Sequence, residues 1–276
     1  MIRLAYRLAW VVTMGMCLGL ATGPAVAGVM LTDANSTASF NLGGEPGQLG
    51  MYSWTVDGVN HMYQQWFWYR VGPNGGEQSI DTLTLDGGPL TSDTNGDGAM
   101  DTLYARYVGE GFRIDLWYIL AGGAAGSGAS DIGEIIRITN TSKTDALDFH
   151  FFQYADFDLN GDGTNDTVEI TGGNTAHQSS PTAYVAETVV TPRPSHYEAG
   201  ISPDTLNSLM DAVPTTFSDD GGPKTGDATW AFEWDKVIDP ERTLLISKDK
   251  NMTPEPATMA LVGVGFVVAL ARRRRR

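Results

Sequence analysis

Two short stretches carry oxygen ligands at a spacing that suits a metal ion: "DTNGDGAMD", Asp93 to Asp101, and "DLNGDGTND", Asp158 to Asp166. Both read D-x-N-x-D-G-x-x-D, 65 positions apart. Calcium takes roughly six to eight oxygens, and a tight loop with oxygens at alternate positions wraps around it when glycine permits a sharp turn at the sixth place. In the second loop Asp158, Asn160 and Asp162 would give side-chain oxygens, Thr164 a backbone carbonyl and Asp166 a direct or water-mediated contact. Glu169 falls at the twelfth place, where a bidentate carboxylate closes the sphere. In the first loop Asp93, Asn95, Asp97, Ala99 and Asp101 take the matching places, but Tyr104 stands twelfth and cannot supply the bidentate oxygen. The spacing predicts calcium at 158–169 and a weaker or water-completed site at 93–104. The competing reading is conformational, because Asn, Asp and Gly also make solvated turns between strands with no metal.

The second loop resembles the EF-hand loop in full. Its flanks, "FHFFQYADF" and "TVEI", are strand-like, so the likeness is to the loop alone, as in dockerin-type and thrombospondin type 3 repeats. Other chemistry is sparser. His61, His150, His177 and His196 show no zinc-motif spacing, and there is no G-x-S-x-G nucleophile turn. A glycosidase needs only two carboxylates in a cleft, and Glu77, Glu110, Asp115 and Glu134 are available. Among 33 acidic residues they single out nothing, so the body is expected to be non-catalytic, with a secreted glycan hydrolase as an alternative. The leading alternative, ahead of the hydrolase, comes from "YQQWFWYRV", which as a strand puts Trp66 and Trp68 on one face and Phe67 and Tyr69 on the other. Exposed, the tryptophans would form a sugar platform and the body a carbohydrate-binding module; buried, they belong to the core.

These loops need a scaffold, and the stretches around them read as strands. "MYSWTVDGV", "QQWFWYRV", "DTLYARYVG", "FRIDLWYIL", "IGEIIRIT", "LDFHFFQYADF", "TAYVAETVV", "ATWAFEWDKV" and "RTLLIS" are rich in aromatic and β-branched residues and are separated by Gly, Asn, Asp and Pro turns. The fold class is therefore all-β, an antiparallel, jelly-roll-like β-sandwich. One stretch departs: "SPDTLNSLMDA" from Ser202 has Pro203 at a first helical position and Leu206, Leu209 and Met210 at helical spacing, which predicts one short helix. The glycine-rich "AGGAAGSGAS", 121–130, looks flexible but is short enough for a hairpin loop. Residues 28–247 form one body, and 248–253 read as a stalk.

The termini say where the chain goes. Residues 1–27 have Arg3 and Arg7, an apolar run and an Ala25-Val26-Ala27 end, which is a secretory signal peptide cut between Ala27 and Gly28. The single cysteine, Cys17, leaves with it, so the body is held by its core and not by disulfides. The formal net charge is −15, and seven of the 18 basic residues lie in the terminal segments, so the body is more acidic still. Such a surface binds neither nucleic acid nor an anionic membrane. At the other end, Ala257 to Ala271 would span ~22 Å as a helix, short of a ~30 Å hydrocarbon core, and Arg272 to Arg276 hold its end in the cytoplasm. Pro254-Glu255-Pro256, the apolar transmembrane helix and the arginine cluster, residues 254–276, together resemble the PEP-CTERM sorting signal of Gram-negative bacteria. That resemblance implies cleavage by an exosortase at the tripeptide after passage through the secretion machinery and transient anchoring in the inner membrane. It implies delivery to the cell surface or a biofilm matrix, where exopolysaccharide is the expected neighbour.

Overall fold

Along Thr102–Gly109 and Ser130–Asn140 buried and half-buried side chains alternate, as a pleated strand with one covered face requires. In Gln64–Val71, Leu147–Asp156 and Ala228–Ile238 nearly every side chain is buried, so these strands are covered on both faces. The computed structural model describes residues 28–44 and 47–254. The expected signal peptide to Ala27, and Glu255, Pro256 and the expected transmembrane helix, lie outside the described residues. Among the described residues no helix is long and apolar enough to cross a membrane.

The chain is nearly all β, in two antiparallel sheets. In the first, Gln64–Val71, Leu147–Asp156, Ala228–Ile238 and His196–Ile201 lie side by side, with the N-terminal strands beyond Gln64–Val71. In the second, Thr243–Pro254 joins two meanders, pairing with Ser130–Asn140 on one side and Ala183–Thr191 on the other. One apolar core fills the space between the sheets, where Tyr69 and Phe149 of the first meet Phe112 of the second. The helix is present as Asp204–Met210, one residue later than the sequence predicts, with Pro203 as its cap. Helix and following segment cover the other face of the first sheet: Leu206 and Met210 border a cavity with Trp68, and Phe217 meets Phe152 edge-on at 5.7 Å.

That cover corrects the sugar platform. Trp66 is wholly buried, its indole N–H donating to Ser79 Oγ at 2.9 Å, and Trp68 is only 5% exposed. Neither ring can stack on a glycan. The glycine-rich stretch is a hairpin loop, pinned by the Asp57 carboxylate, which accepts from Gly126 N–H at 2.6 Å and Gly128 N–H at 2.8 Å.

The stalk is also corrected. Residues 248–253 lie inside the strand Thr243–Pro254, and Lys248 and Lys250 are fully buried. The Lys248 ammonium sits 2.6 Å from Glu134 Oε2 and 3.0 Å from Glu187 Oε1, and Lys250 pairs with the same two carboxylates. Gln153 and the Trp230 indole, from the opposite sheet, donate to Glu187 as well. Burial opposes ionisation of Glu187, but the two ammoniums overcome it and hold its carboxyl down at about 2. Two cations and two anions cancel, which is how a dry core tolerates them.

Candidate metal centre

The segment Ala155-Asp156-Phe157-Asp158 leaves the end of strand Leu147–Asp156 still alternating. Phe157 turns into the core and stacks on Trp230 at 4.9 Å, which leaves the two aspartates on the opposite side. From the start of strand Ala228–Ile238, Asp227 reaches the same place. Ligand oxygens of Asp156, Asp158 and Asp227 all lie within 4.8 Å of one another. A calcium ion about 2.4 Å from each oxygen can hold two of them up to about 4.8 Å apart, so the cluster is of the right size.

Asp156 is 2% exposed. Its Oδ2 accepts from the Tyr154 hydroxyl at 2.9 Å, whereas Oδ1 is buried and has no hydrogen-bond partner. A buried, unpartnered carboxylate oxygen is costly, and here it sits in a group of like charges. Burial first, then Asp227 and Asp158, pushes the Asp156 carboxyl up to about 7. Burial and the neighbours Asp227 and Asp162 raise Asp158. Asp166, also buried, is raised to about 6, mainly by desolvation, although Leu159 N–H and the Gln178 amide donate to its Oδ2. Asp162 faces solvent and is held below the usual range by Thr164, whose hydroxyl and N–H both donate to Oδ1.

Gly163 explains how the carboxylates meet. It stands at the sixth place of the loop, but the positive φ angles are at Asn160, 64°, and Gly161, 74°. A Cβ on Gly163 would lie 2.2 Å from Asp158 Oδ1 and 3.2 Å from Asp227 Oδ1. The glycine is needed for room, and the turn is made two residues earlier.

The expected ligand set is partly redrawn. Asp158 belongs to the cluster, Asp162 is near enough to raise the Asp158 and Asp166 carboxyls electrostatically, and Asp158 to raise that of Asp166. The Asn160 amide turns away to donate to Ser180 Oγ at 2.7 Å, and Thr164 contributes its N–H and hydroxyl to Asp162. Glu169 is not a twelfth ligand: strand Asp166–Thr171 has already begun, Asp166, Val168 and Ile170 are buried, and Glu169 points out of the opposite face. Asp156 and Asp227 were missed. Asp156 precedes the motif and is marked only by being an acid in an apolar strand, while Asp227 comes from 69 residues beyond Asp158 and has no local signal.

The first loop is closed on itself. Asp93 accepts from Gly96 N–H at 2.6 Å and Gly98 N–H at 2.9 Å, Asn95 from Asp97 N–H, Asp97 from Ala99 N–H, and Asp101 from Thr94 and Asn95. Tyr104 faces away along its strand and donates to Asp115. Three of the four carboxylates considered for glycan hydrolysis are held in separate ion pairs. Glu77 pairs with Arg70, Asp115 with Arg106 and Arg113, and Glu134 with the buried lysines.

Comparison with known proteins identifies the class of chain. Residues 253–276 match the PEP-CTERM protein-sorting motif. This is an exported PEP-CTERM protein, held by its C-terminus in the membrane and sorted by an exosortase to the cell surface. No curated protein matches it. Among solved structures it is similar to a bacterial glucoamylase complexed with acarbose, at 7% identity and TM-score 0.54, over 84% of this chain and 32% of that one. It also matches a family GH92 alpha-mannosidase from Bacteroides thetaiotaomicron, at 8% identity and TM-score 0.39, over 82% and 30% of the respective chains. The chain spans about a third of the length of these enzymes, and the glucoamylase likeness is one of fold alone.

Proposed function

We propose that this is a non-catalytic cell-surface or extracellular-matrix protein, associated with exopolysaccharide, whose sandwich is braced by calcium at Asp156, Asp158 and Asp227. The observation that carries the calcium reading is the buried, unpartnered Asp156 Oδ1 set among two further carboxylates from separate elements. An all-oxygen, carboxylate-rich site suits a hard cation, and calcium fits a flexible loop better than magnesium, which gives up water reluctantly. Asp162, Asp166 and water complete the sphere. The acidic loop at 93–101 is a stable turn by its own hydrogen bonds and is not required for this role.

A cation bound only by the folded state adds RT ln(1 + [L]/Kd), about 2.7 kcal/mol at a hundred times Kd. For a domain of this size that raises the melting midpoint by roughly 5 to 11 °C. Secreted protein should show this rise in millimolar calcium relative to chelator, Asp227→Asn should abolish it, and Glu169→Ala should keep it. Equal midpoints in calcium and chelator would remove the calcium centre. Co-sedimentation with exopolysaccharide tests the matrix association. The rival reading, a secreted glycan hydrolase, has the glucoamylase-like fold in its support; turnover of any member of a glycan panel would favour it.

A further inference from the structure

Six residues back along the strand that ends in Asp156 lies His150, on the same face of the first sheet and ~20 Å away. It stands opposite Asp235, and His196 stands opposite Glu233, in the register of three adjacent antiparallel strands. Glu233 and Asp235 are two residues apart and so share that face. Two imidazoles and two carboxylates therefore converge from Leu147–Asp156, His196–Ile201 and Ala228–Ile238. Ligand atoms of His150, Glu233 and Asp235 lie within 4.8 Å of one another, and His196 Nε2 is 3.8 Å from Asp235 Oδ2.

Glu233 supplies the observation that points to a ligand. It is fully buried; its Oε2 accepts from Phe217 N–H at 2.9 Å, and its Oε1 has no hydrogen-bond partner. Burial, with Asp235 alongside, pushes its carboxyl up to about 8. His196 is arranged as metal-ligating histidines usually are, with a carboxylate on its far nitrogen to fix the ring. His196 Nδ1 is 3.1 Å from Asp219 Oδ2, leaving Nε2 toward Asp235. His150 presents Nδ1 to Asp235, to which it is hydrogen-bonded, and its Nε2 has no hydrogen-bond partner, the Asp148 carboxylate lying 3.6 Å away. Asp235 and His196 are each about one-third exposed, 32% and 33%, so an ion and its water can enter from solvent.

We propose that His150, His196, Glu233 and Asp235 form a second metal site, specific for a divalent transition ion of the zinc class. Imidazole nitrogen separates it from the all-oxygen calcium centre, because a borderline-soft ion binds His and carboxylate together whereas calcium does not favour nitrogen. On binding, the ion takes the place of the proton between His150 and Asp235 and of the proton that the raised Glu233 carboxyl holds at neutral pH, and it gives Glu233 Oε1 its partner. Both protons are released to solvent. Through Phe217 and Asp219 the site also ties the 211–223 segment to the sheet.

The test is zinc titration of the secreted protein by calorimetry in excess calcium, which keeps the first centre filled. One zinc per chain is expected. His150→Gln and His196→Gln should each weaken binding by about tenfold or more, and His177→Gln, a histidine engaged by Tyr184 and Thr171 elsewhere, should not. Cobalt should give a visible ligand-field spectrum that His150→Gln abolishes. Folding of each variant is checked by its unchanged circular dichroism and calcium-dependent midpoint. No zinc uptake by the parent protein, or unchanged uptake in folded His150→Gln/His196→Gln, would overturn the site. Loss of the calcium effect with zinc binding intact would instead strike only the calcium reading.

Discussion

At the scale of single residues, one missing methyl decides whether three carboxylates can meet. Gly163 does not need a left-handed backbone, so a substitution there is resisted by contact alone: its Cβ would enter the place of Asp158 Oδ1 at 2.2 Å. Gly163→Ala should leave the sandwich folded but displace Asp158, and a calcium titration followed by melting should show the stabilisation mostly lost. The same cluster sets a pH dependence. Unfolded aspartates titrate near ~3.9, whereas Asp156 and Asp166 in the cation-free fold are raised to about 7 and about 6. The folded state then holds more protons than the unfolded one from ~4 to ~7, so these groups' contribution to stability falls as pH rises through that window. Calcium binds the deprotonated form, so the midpoint difference between calcium and chelator should widen from pH 5 to 7.5. In chelator, Asp156→Asn should lessen the decline; a decline identical to the parent's would show that Asp156 does not titrate there.

At the scale of elements, the last strand is the least expected feature and the one with most consequence. Read as a stalk, 248–253 would be dispensable; as part of Thr243–Pro254 it brings Lys248 and Lys250 between Glu134 and Glu187 and zips two meanders together. Replacing Lys248 with methionine leaves two buried carboxylates to a single ammonium, which should cost ~3–5 kcal/mol in denaturant unfolding. A chain ending at Ser247 should fail to fold cooperatively, whereas one ending at Pro254 should succeed. The strand also runs to the first residue of the Pro-Glu-Pro tripeptide, so the sorting motif begins within the sheet.

At the scale of the whole molecule, the chain is an acidic sandwich followed by a PEP-CTERM sorting motif, with a signal peptide expected before it. Secreted protein should begin at Gly28 and lack Arg272 to Arg276, and its intact mass will tell; external protein still carrying the arginines would contradict exosortase processing. Glu255→Ala should hold it at the inner membrane. Such a protein meets solvent with its acidic excess, and the proposed divalent ions would offset part of the self-repulsion of that surface.

What the sequence determined by itself rests on local order. The strands were legible because alternation and β-branched or aromatic runs are properties of consecutive residues, as in Phe112, Ile114, Leu116 and Tyr118, all buried as the pattern requires. The sorting motif was legible because it is read linearly by another protein. Tertiary structure alone decided the rest. The cover over Trp68 comes from an element that returns more than 130 residues later, and Trp66 is closed in by Ser79, Asp81 and Tyr107. The loop's third carboxylate is Asp227, and Glu169 is lost to it because a strand of period two starts at Asp166 and turns it outward. Lys248 and Lys250 read as part of a stalk until their partners, 61 to 116 residues away in sequence, are brought beside them by sheet pairing and packing. Charge and side-chain type are local facts, but who neutralises whom is settled only when distant strands meet.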